Sequence, residues 1–155
     1  MTSSKLSSEI RRRQIVNATL KIISERGVRN LTTSAIAHEV GMSEANLYRH
    51  FANKDEILME TVGSIGSGLG KNLEKVFQSS ESPLEHLRQI FSLHLIFVEK
   101  NQGIPRLVFS EEIHGGNKAL KVKILETINT YSARLELIIR EGQVAGDIKE
   151  DIDPV

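Results

Sequence analysis

The feature that most constrains this chain is its punctuation, a run of helix start and stop signals with no strand signal between them. Thr32-Thr33, Ser43, Asn53, Ser82 and Asn117 each stand before a stretch whose apolar residues recur at three- and four-residue spacing. Short polar side chains of this kind accept hydrogen bonds from the free N–H groups of a helix's first turn. Ser82-Pro83-Leu84-Glu85 adds Pro and Glu at the positions where a first turn favours them, and Asn53-Lys54-Asp55-Glu56 has the form of a capping box. Gly27, Gly41 and Gly115-Gly116 act as stops. The spacing predicts helices over about 10–26, 34–40 and 44–51, and a fourth from residue 54. Further helices are predicted from 83 to the Gly103–Pro105 break, over about 105–114, and from 118 to weak points at Gly142 and Gly146. Residues 1–9 are Ser-rich and expected to be loose. Neither an alternating pattern nor a repeat is present, so the expected fold class is all-α.

At 155 residues and 39% hydrophobic, the chain can bury one core, or two small ones joined by a shared helix. Twenty basic residues balance twenty acidic ones, which excludes a uniformly basic nucleic-acid coat and a highly charged disordered tail. There is no cysteine, so disulfides, thiolate catalysis and cysteine-zinc sites are excluded. No apolar run reaches the roughly 18 residues of a membrane span. The polar start Met1–Glu9 is not followed by the apolar core of a signal peptide, so a cytoplasmic protein without a membrane partner is expected.

The neutral total hides an asymmetry. Residues 1–54 carry nine Lys or Arg against four acids, a net of +5, and the remainder carries a net of −5. A DNA-facing module joined to a module that does not face DNA has this distribution, and so do two solvated surfaces that differ by chance. Arg11, Arg12 and Arg13 fall in the first turns of a helix, the wrong end for cations against its dipole. That placement implies an outside partner or plain solvation.

Several chemistries fail on spacing. Gly63, Gly66, Gly68 and Gly70 lie in what should be the middle of the fourth helix, but neither phosphate-loop pattern fits and no strand precedes them. A soft helix or a close helix crossing is the better reading. Glu111-Glu112-Ile113-His114 holds one Glu-x-x-His, whereas a two-iron bundle needs two of them and two further glutamates. HExxH and GxSxG are absent. The expectation is a protein that is no enzyme, with no metal and no cofactor.

Residues 33–51 have helix-turn-helix proportions: a short helix, a turn at Gly41, and a second helix opened by Ser43. Such a second helix enters the major groove by its N-terminal end, with Glu44, Ala45, Asn46 and Arg49 outward. Asn46 can bond adenine, Arg49 can fork to guanine, and Glu44 can accept from cytosine. Tyr48, His50 and Lys54 supply donors suited to phosphates. Taken singly, Tyr48 also fits a core-edge aromatic, His50 a helix C-terminal cap, and Lys54 a solvated lysine. Leu47, Phe51 and Ile36 fit a small core.

Four segments carry a resemblance: Leu31-Thr32-Thr33-Ser34-Ala35-Ile36-Ala37, Val40-Gly41-Met42-Ser43, Leu47-Tyr48-Arg49-His50-Phe51 and Asn53-Lys54-Asp55-Glu56-Ile57-Leu58. Together, over about residues 10–58, they resemble the N-terminal domain of the TetR family of bacterial transcriptional regulators. The resemblance implies that Thr33, Tyr48, His50 and Lys54 touch DNA phosphates. It implies that Ser34, Glu44, Ala45, Asn46 and Arg49 face bases. It further implies a DNA-binding domain over 1–55 and a helical ligand-binding and dimerisation domain over 56–155.

The implied function is sequence-specific DNA binding, most simply repression released by a small-molecule inducer. The implied partners are double-stranded DNA with a palindromic operator and a second copy of the chain. Candidate pocket residues are Phe91, His94, Arg106, Phe109 and Tyr131, with Leu95, Phe97, Glu111 and His114 nearby in sequence. His94 and Tyr131 fit satisfied core residues as well, and Arg106 and Glu111 fit an exposed surface. Family members usually continue past the equivalent of Pro154 into two more helices that pair across a two-fold axis. The expectation is therefore a shortened body, or a dimer built on other helices. The alternative function is a small-molecule-binding or interaction protein without effective DNA binding. A helical metalloenzyme is a further rival, for which no ligand set is found.

Overall fold

The computed structural model describes residues 8–154, the Glu112 side chain excepted. Residues 1–7, most of the stretch expected to be loose, lie outside the described residues. The described chain is helical, with no strand. Its helices are α1 (Ser8–Arg26), α2 (Thr33–Val40), α3 (Glu44–Leu47), α4 (Lys54–Phe77), α5 (Pro83–Lys100), α6 (Gly103–Val108), α7 (Glu111–Gly116) and α8 (Lys118–Ala145), with a short 3-10 turn at Val28–Asn30.

The starts follow the caps. The side chains of Thr32, Ser43, Asn53, Ser82 and Asn117 accept from the backbone N–H of Ala35, Asn46, Glu56, Glu85 and Leu120, respectively. Glu56 closes the first turn of α4 from the other side by accepting from Ala52 N at 2.6 Å. Gly41 ends α2 with φ 73°, left-handed backbone that only glycine adopts without cost.

Two expectations are corrected. The third helix keeps regular α geometry only to Leu47. Beyond it, Arg49 N bonds Asn46 O and His50 N bonds Leu47 O, so the last turn tightens to three-residue spacing. That tightening carries buried Phe51 into the core just before Asn53 restarts the chain.

The helix expected over 105–114 is two helices, broken at Phe109–Ser110. In one continuous helix Leu107 and Ile113 would point about 120° apart. The break lets both be buried in the same core.

The Gly-rich stretch stays within one 24-residue helix. A Cβ on Gly66 would lie 3.0 Å from Thr127 Cγ2, and one on Gly68 would lie 2.7 Å from the Phe97 ring. Both glycines therefore admit close crossings of α4 with α8 and α5.

The main core joins α1–α3 to the rest. Ile15, Ile23, Leu47 and Phe51 share one cluster with Ile57 and Ile65 of α4, Ile104 and Leu107 of α6, and Leu120 and Ile124 of α8. A second cluster at the far end of α4 holds Leu73, Val76, Ile90 and Ile138. Buried Thr19 and Thr61 satisfy their hydroxyls on the carbonyls of Ile15 and Ile57, one turn back.

Candidate DNA interface and ligand cavity

The α2–α3 unit holds most of its candidate polar side chains outward over apolar ones. Ile36, Ala37, Leu47 and Phe51 are buried, whereas Ser34, Glu44, Ala45, Tyr48, Arg49 and Lys54 are exposed; Thr33, Asn46 and His50 are half-buried. The period that buries Leu47 and Phe51 leaves the first turn of α3 free to approach a groove.

Thr33, Glu44 and Tyr48 meet on one patch. The Thr33 hydroxyl donates to a Glu44 carboxylate oxygen and lies 3.2 Å from the Tyr48 hydroxyl. The Thr33 hydroxyl is thus occupied by an acid of the same unit, and the Tyr48 hydroxyl reaches that acid only through Thr33. Lys54 stands apart from that patch, its Nζ donating to Leu31 O at 3.4 Å. His50 lies on another side, with Nδ1 3.4 Å from Ser8 Oγ.

Arg12 faces inward. Its guanidinium lies 4.0 Å over the Phe51 ring and donates to His50 O at 2.5 Å and to Glu60 Oε2 at 3.0 Å, with Glu56 at 3.5 Å. Of the three arginines assigned to an outside partner or to solvent, Arg12 instead clamps the end of the helix-turn-helix unit to α4. Its partners lie 38 to 48 residues away, beyond the reach of any local pattern. Lys21 of α1 and Glu39 of α2 form a second tie at 2.5 Å. The hydrogen bond from Lys21 holds the Glu39 carboxyl below the usual range, and the bond to Glu39 raises Lys21.

The body contains a cavity of about 390 Å³ between α4, α5, α6 and α8. Val62, Ile65 and Leu69 line it from α4, Phe97 and Val98 from α5, Ile104, Pro105 and Val108 from α6, and Ile124 and Ile128 from α8. His94, Phe109 and Tyr131 of the sequence-derived set belong to the lining; Phe91 and Arg106 do not, and both are exposed. The contributions of α4 and α6 were not legible in the sequence, because an apolar residue facing a cavity has the same periodicity as one facing a core. His114 and Glu111 are exposed outside the lining, and His114 Nε2 lies 2.6 Å from Val108 O.

A second hollow of about 330 Å³ runs along the outside of α4 and α8, past Gly63, Gly66 and Gly70, and carries Glu74, Lys123, Glu126 and Arg134. It shares Leu69, Thr127 and Tyr131 with the cavity as a common wall.

A three-helix head with an outward helix-turn-helix, joined by one long helix to a hollow helical body, is the build of a helix-turn-helix DNA-binding regulator. The comparisons agree. The bacterial regulatory proteins of the tetR family match residues 15–61, and the tetracyclin repressor-like C-terminal domain matches residues 83–155. The chain is 30% identical over 144 residues to the nucleoid occlusion factor SlmA of Marinomonas sp. (strain MWYL1), covering 93% of this chain and 71% of that one.

Two solved structures give the same picture. The TetR family transcriptional regulator PfmR from Thermus thermophilus superposes with a TM-score of 0.75 at 26% identity, over 90% of this chain and 75% of that one. The transcriptional regulator FadR from Bacillus subtilis, in complex with stearoyl-CoA, gives 0.73 at 27% identity, over 92% and 76%. This chain belongs to the TetR family of bacterial regulatory proteins and is a DNA-binding transcriptional regulator. The sequence-level resemblance in the body went no further than helicity; the C-terminal match extends it to residue 155. Among the described residues no helix is long and apolar enough to cross a membrane.

Proposed function

We propose that the protein is a repressor that reads a palindromic operator as a homodimer in the cytoplasm, and that a small molecule in the α4–α5–α6–α8 cavity lowers its DNA affinity. Thr33, Tyr48, His50 and Lys54 hold phosphates, and Ser34, Glu44, Ala45, Asn46 and Arg49 face bases. The head corresponds to residues 1–55 and the body to 56–155. No chemical step belongs to this reading.

The observation that carries it is the shared core. Ile104 of α6 lines the cavity and packs in the same cluster as Ile15 and Ile23 of α1. A ligand that displaces α6 therefore tilts the head and changes the spacing of two paired heads, which read half-sites about 34 Å apart or a multiple of it. Such a ligand works by differential affinity for two arrangements.

The test is binding to the duplex upstream of the protein's own gene against a random duplex, titrated with salt, with molecular mass measured in the same buffer. Selective, salt-sensitive binding by a dimer is expected. Weak binding that ignores sequence, from a monomer, overturns the proposal and favours a ligand-binding protein without effective DNA binding.

The likeness to nucleoid occlusion factors over 93% of the chain supports a second reading, in which the DNA-bound protein serves nucleoid occlusion. Mapping bound sites over the chromosome separates the two. A few sites next to promoters support the repressor, and many sites scattered over the chromosome support the other.

A further inference from the structure

α3 has four residues of regular helix, too short to hold its direction by itself. Its seat depends on anchors at its two ends. Ser43 fixes the start, its side chain accepting from Asn46 N at 3.2 Å. The other end is fixed from outside the helix-turn-helix. His50 O, just past the regular turn, accepts from Arg12 Nη1 of α1 at 2.5 Å. Arg12 Nη2 donates to Glu60 Oε2 of α4 at 3.0 Å, and Glu56 Oε1 lies 3.5 Å from Nη1. The guanidinium plane lies 4.0 Å over the Phe51 ring. Glu56 in turn accepts from Ala52 N at 2.6 Å. The stacked face and both terminal nitrogens of Arg12 are therefore engaged within the protein. A phosphate contact at Arg12 would have to break those bonds. Arg49 and His50, read as base and phosphate contacts, lie in the turn that this clamp holds.

We propose that Arg12 is a positioning residue for DNA reading. Through His50 O, Glu56 and Glu60 it holds the end of the recognition unit against α4, so operator selectivity depends on a side chain that touches no DNA. This rests on the reading of α3 as the helix that enters the groove, and adds the residues that seat it. Glu60 belongs to the same device, since it holds one arm of the guanidinium. A planar fork that stacks and bonds in two directions is not replaced by a point charge.

The test uses the full chain and two duplexes, the one upstream of the protein's own gene and a random one, each titrated with salt. Arg12→Met weakens binding to the first about tenfold, the worth of one charge-assisted hydrogen bond, and to the second by about twofold or less. Its salt slope stays that of wild type. Glu60→Ala gives the sharper sign. On electrostatics alone, removing an acid from the head tightens binding to every duplex. Loss of the clamp instead weakens binding to the upstream duplex about threefold and leaves the random duplex bound at least as tightly, so the ratio narrows. The double variant loses no more than Arg12→Met, because Glu60 acts through Arg12.

A salt slope reduced by about one unit in Arg12→Met assigns Arg12 to a phosphate and overturns the proposal. Equal losses on both duplexes show a smaller folded fraction and no change of seat, and overturn it too. So does tighter binding of Glu60→Ala to both duplexes, or additive losses in the double variant. Glu60→Ala keeps the test decisive should Arg12→Met fold poorly. Wild type that does not tell the duplexes apart overturns the operator reading and this inference with it, whereas an unchanged ratio in the variants overturns the inference alone.

Discussion

Glu44 shows how one residue can serve two ends. Its carboxylate accepts from Thr33 while Thr33 lies beside Tyr48, so it organises the patch and also holds a negative charge where a phosphate would approach. Replacing Glu44 by Gln should tighten binding to random duplex severalfold and narrow the ratio between operator and random DNA, both read from salt titrations. Looser binding to random DNA would refute the repulsion.

Arg49 and Lys54 should separate cleanly. Arg49→Ala should cost about 1–3 kcal/mol on the operator and little on random DNA. Lys54→Ala should weaken both alike and reduce the salt slope by about one unit. The residue types and spacing of the outward set were readable in the sequence, because exposed helix positions follow from the period that buries Leu47 and Phe51. The inward turn of Arg12 was not, since it depends on Glu60 and on the Phe51 ring, brought close only by folding.

At the scale of elements, helix ends and helix crossings obey different rules. Ends are local, and five caps stand where their sequence signals predict. Crossings depend on what lies opposite. Gly103 opens α6 against α1 so closely that a Cβ there would lie 2.2 Å from the Leu20 carbonyl oxygen. Gly103→Ala should destabilise the protein by about 1–3 kcal/mol in urea unfolding, since backbone must move. Gly70 lies mid-helix, and an added methyl there would meet nothing within 4 Å, so Gly70→Ala should stabilise by about 0.5–1 kcal/mol in the same assay.

The Lys21–Glu39 tie between α1 and α2 carries a pH signature. Because Glu39 is depressed in the folded state, its contribution is present above the ordinary carboxylate range and fades as pH falls through the lowered value. Lys21 is raised, so its contribution fades only as pH rises through that raised value. The stability gap between wild type and Lys21→Met should therefore be seen at neutral pH and vanish in acid. A gap that persists in acid would show that Lys21 acts through packing alone.

At the scale of the whole molecule, the basic head and the acidic body are not independent halves, because one core runs from Ile15 to Ile124. Unfolding should accordingly be a single transition, with the ring resonances of Tyr48 in the head and Tyr131 in the body lost at the same urea concentration. Two separated transitions would mean that the head holds its fold without α6 and α8.

The sequence by itself determined the helical class, most helix starts, the helix-turn-helix with its outward residues, and the family. All of these rest on contacts within a few residues, capping and the 3.6-residue period, which local order encodes directly. Tertiary structure alone decided that the 105–114 stretch breaks in two, that Arg12 serves the fold, and that His94 rather than Arg106 faces a hollow. Each of those depends on which distant side chain or backbone oxygen occupies the opposite side, and an apolar stripe reads the same in sequence whether it meets another helix or an empty space.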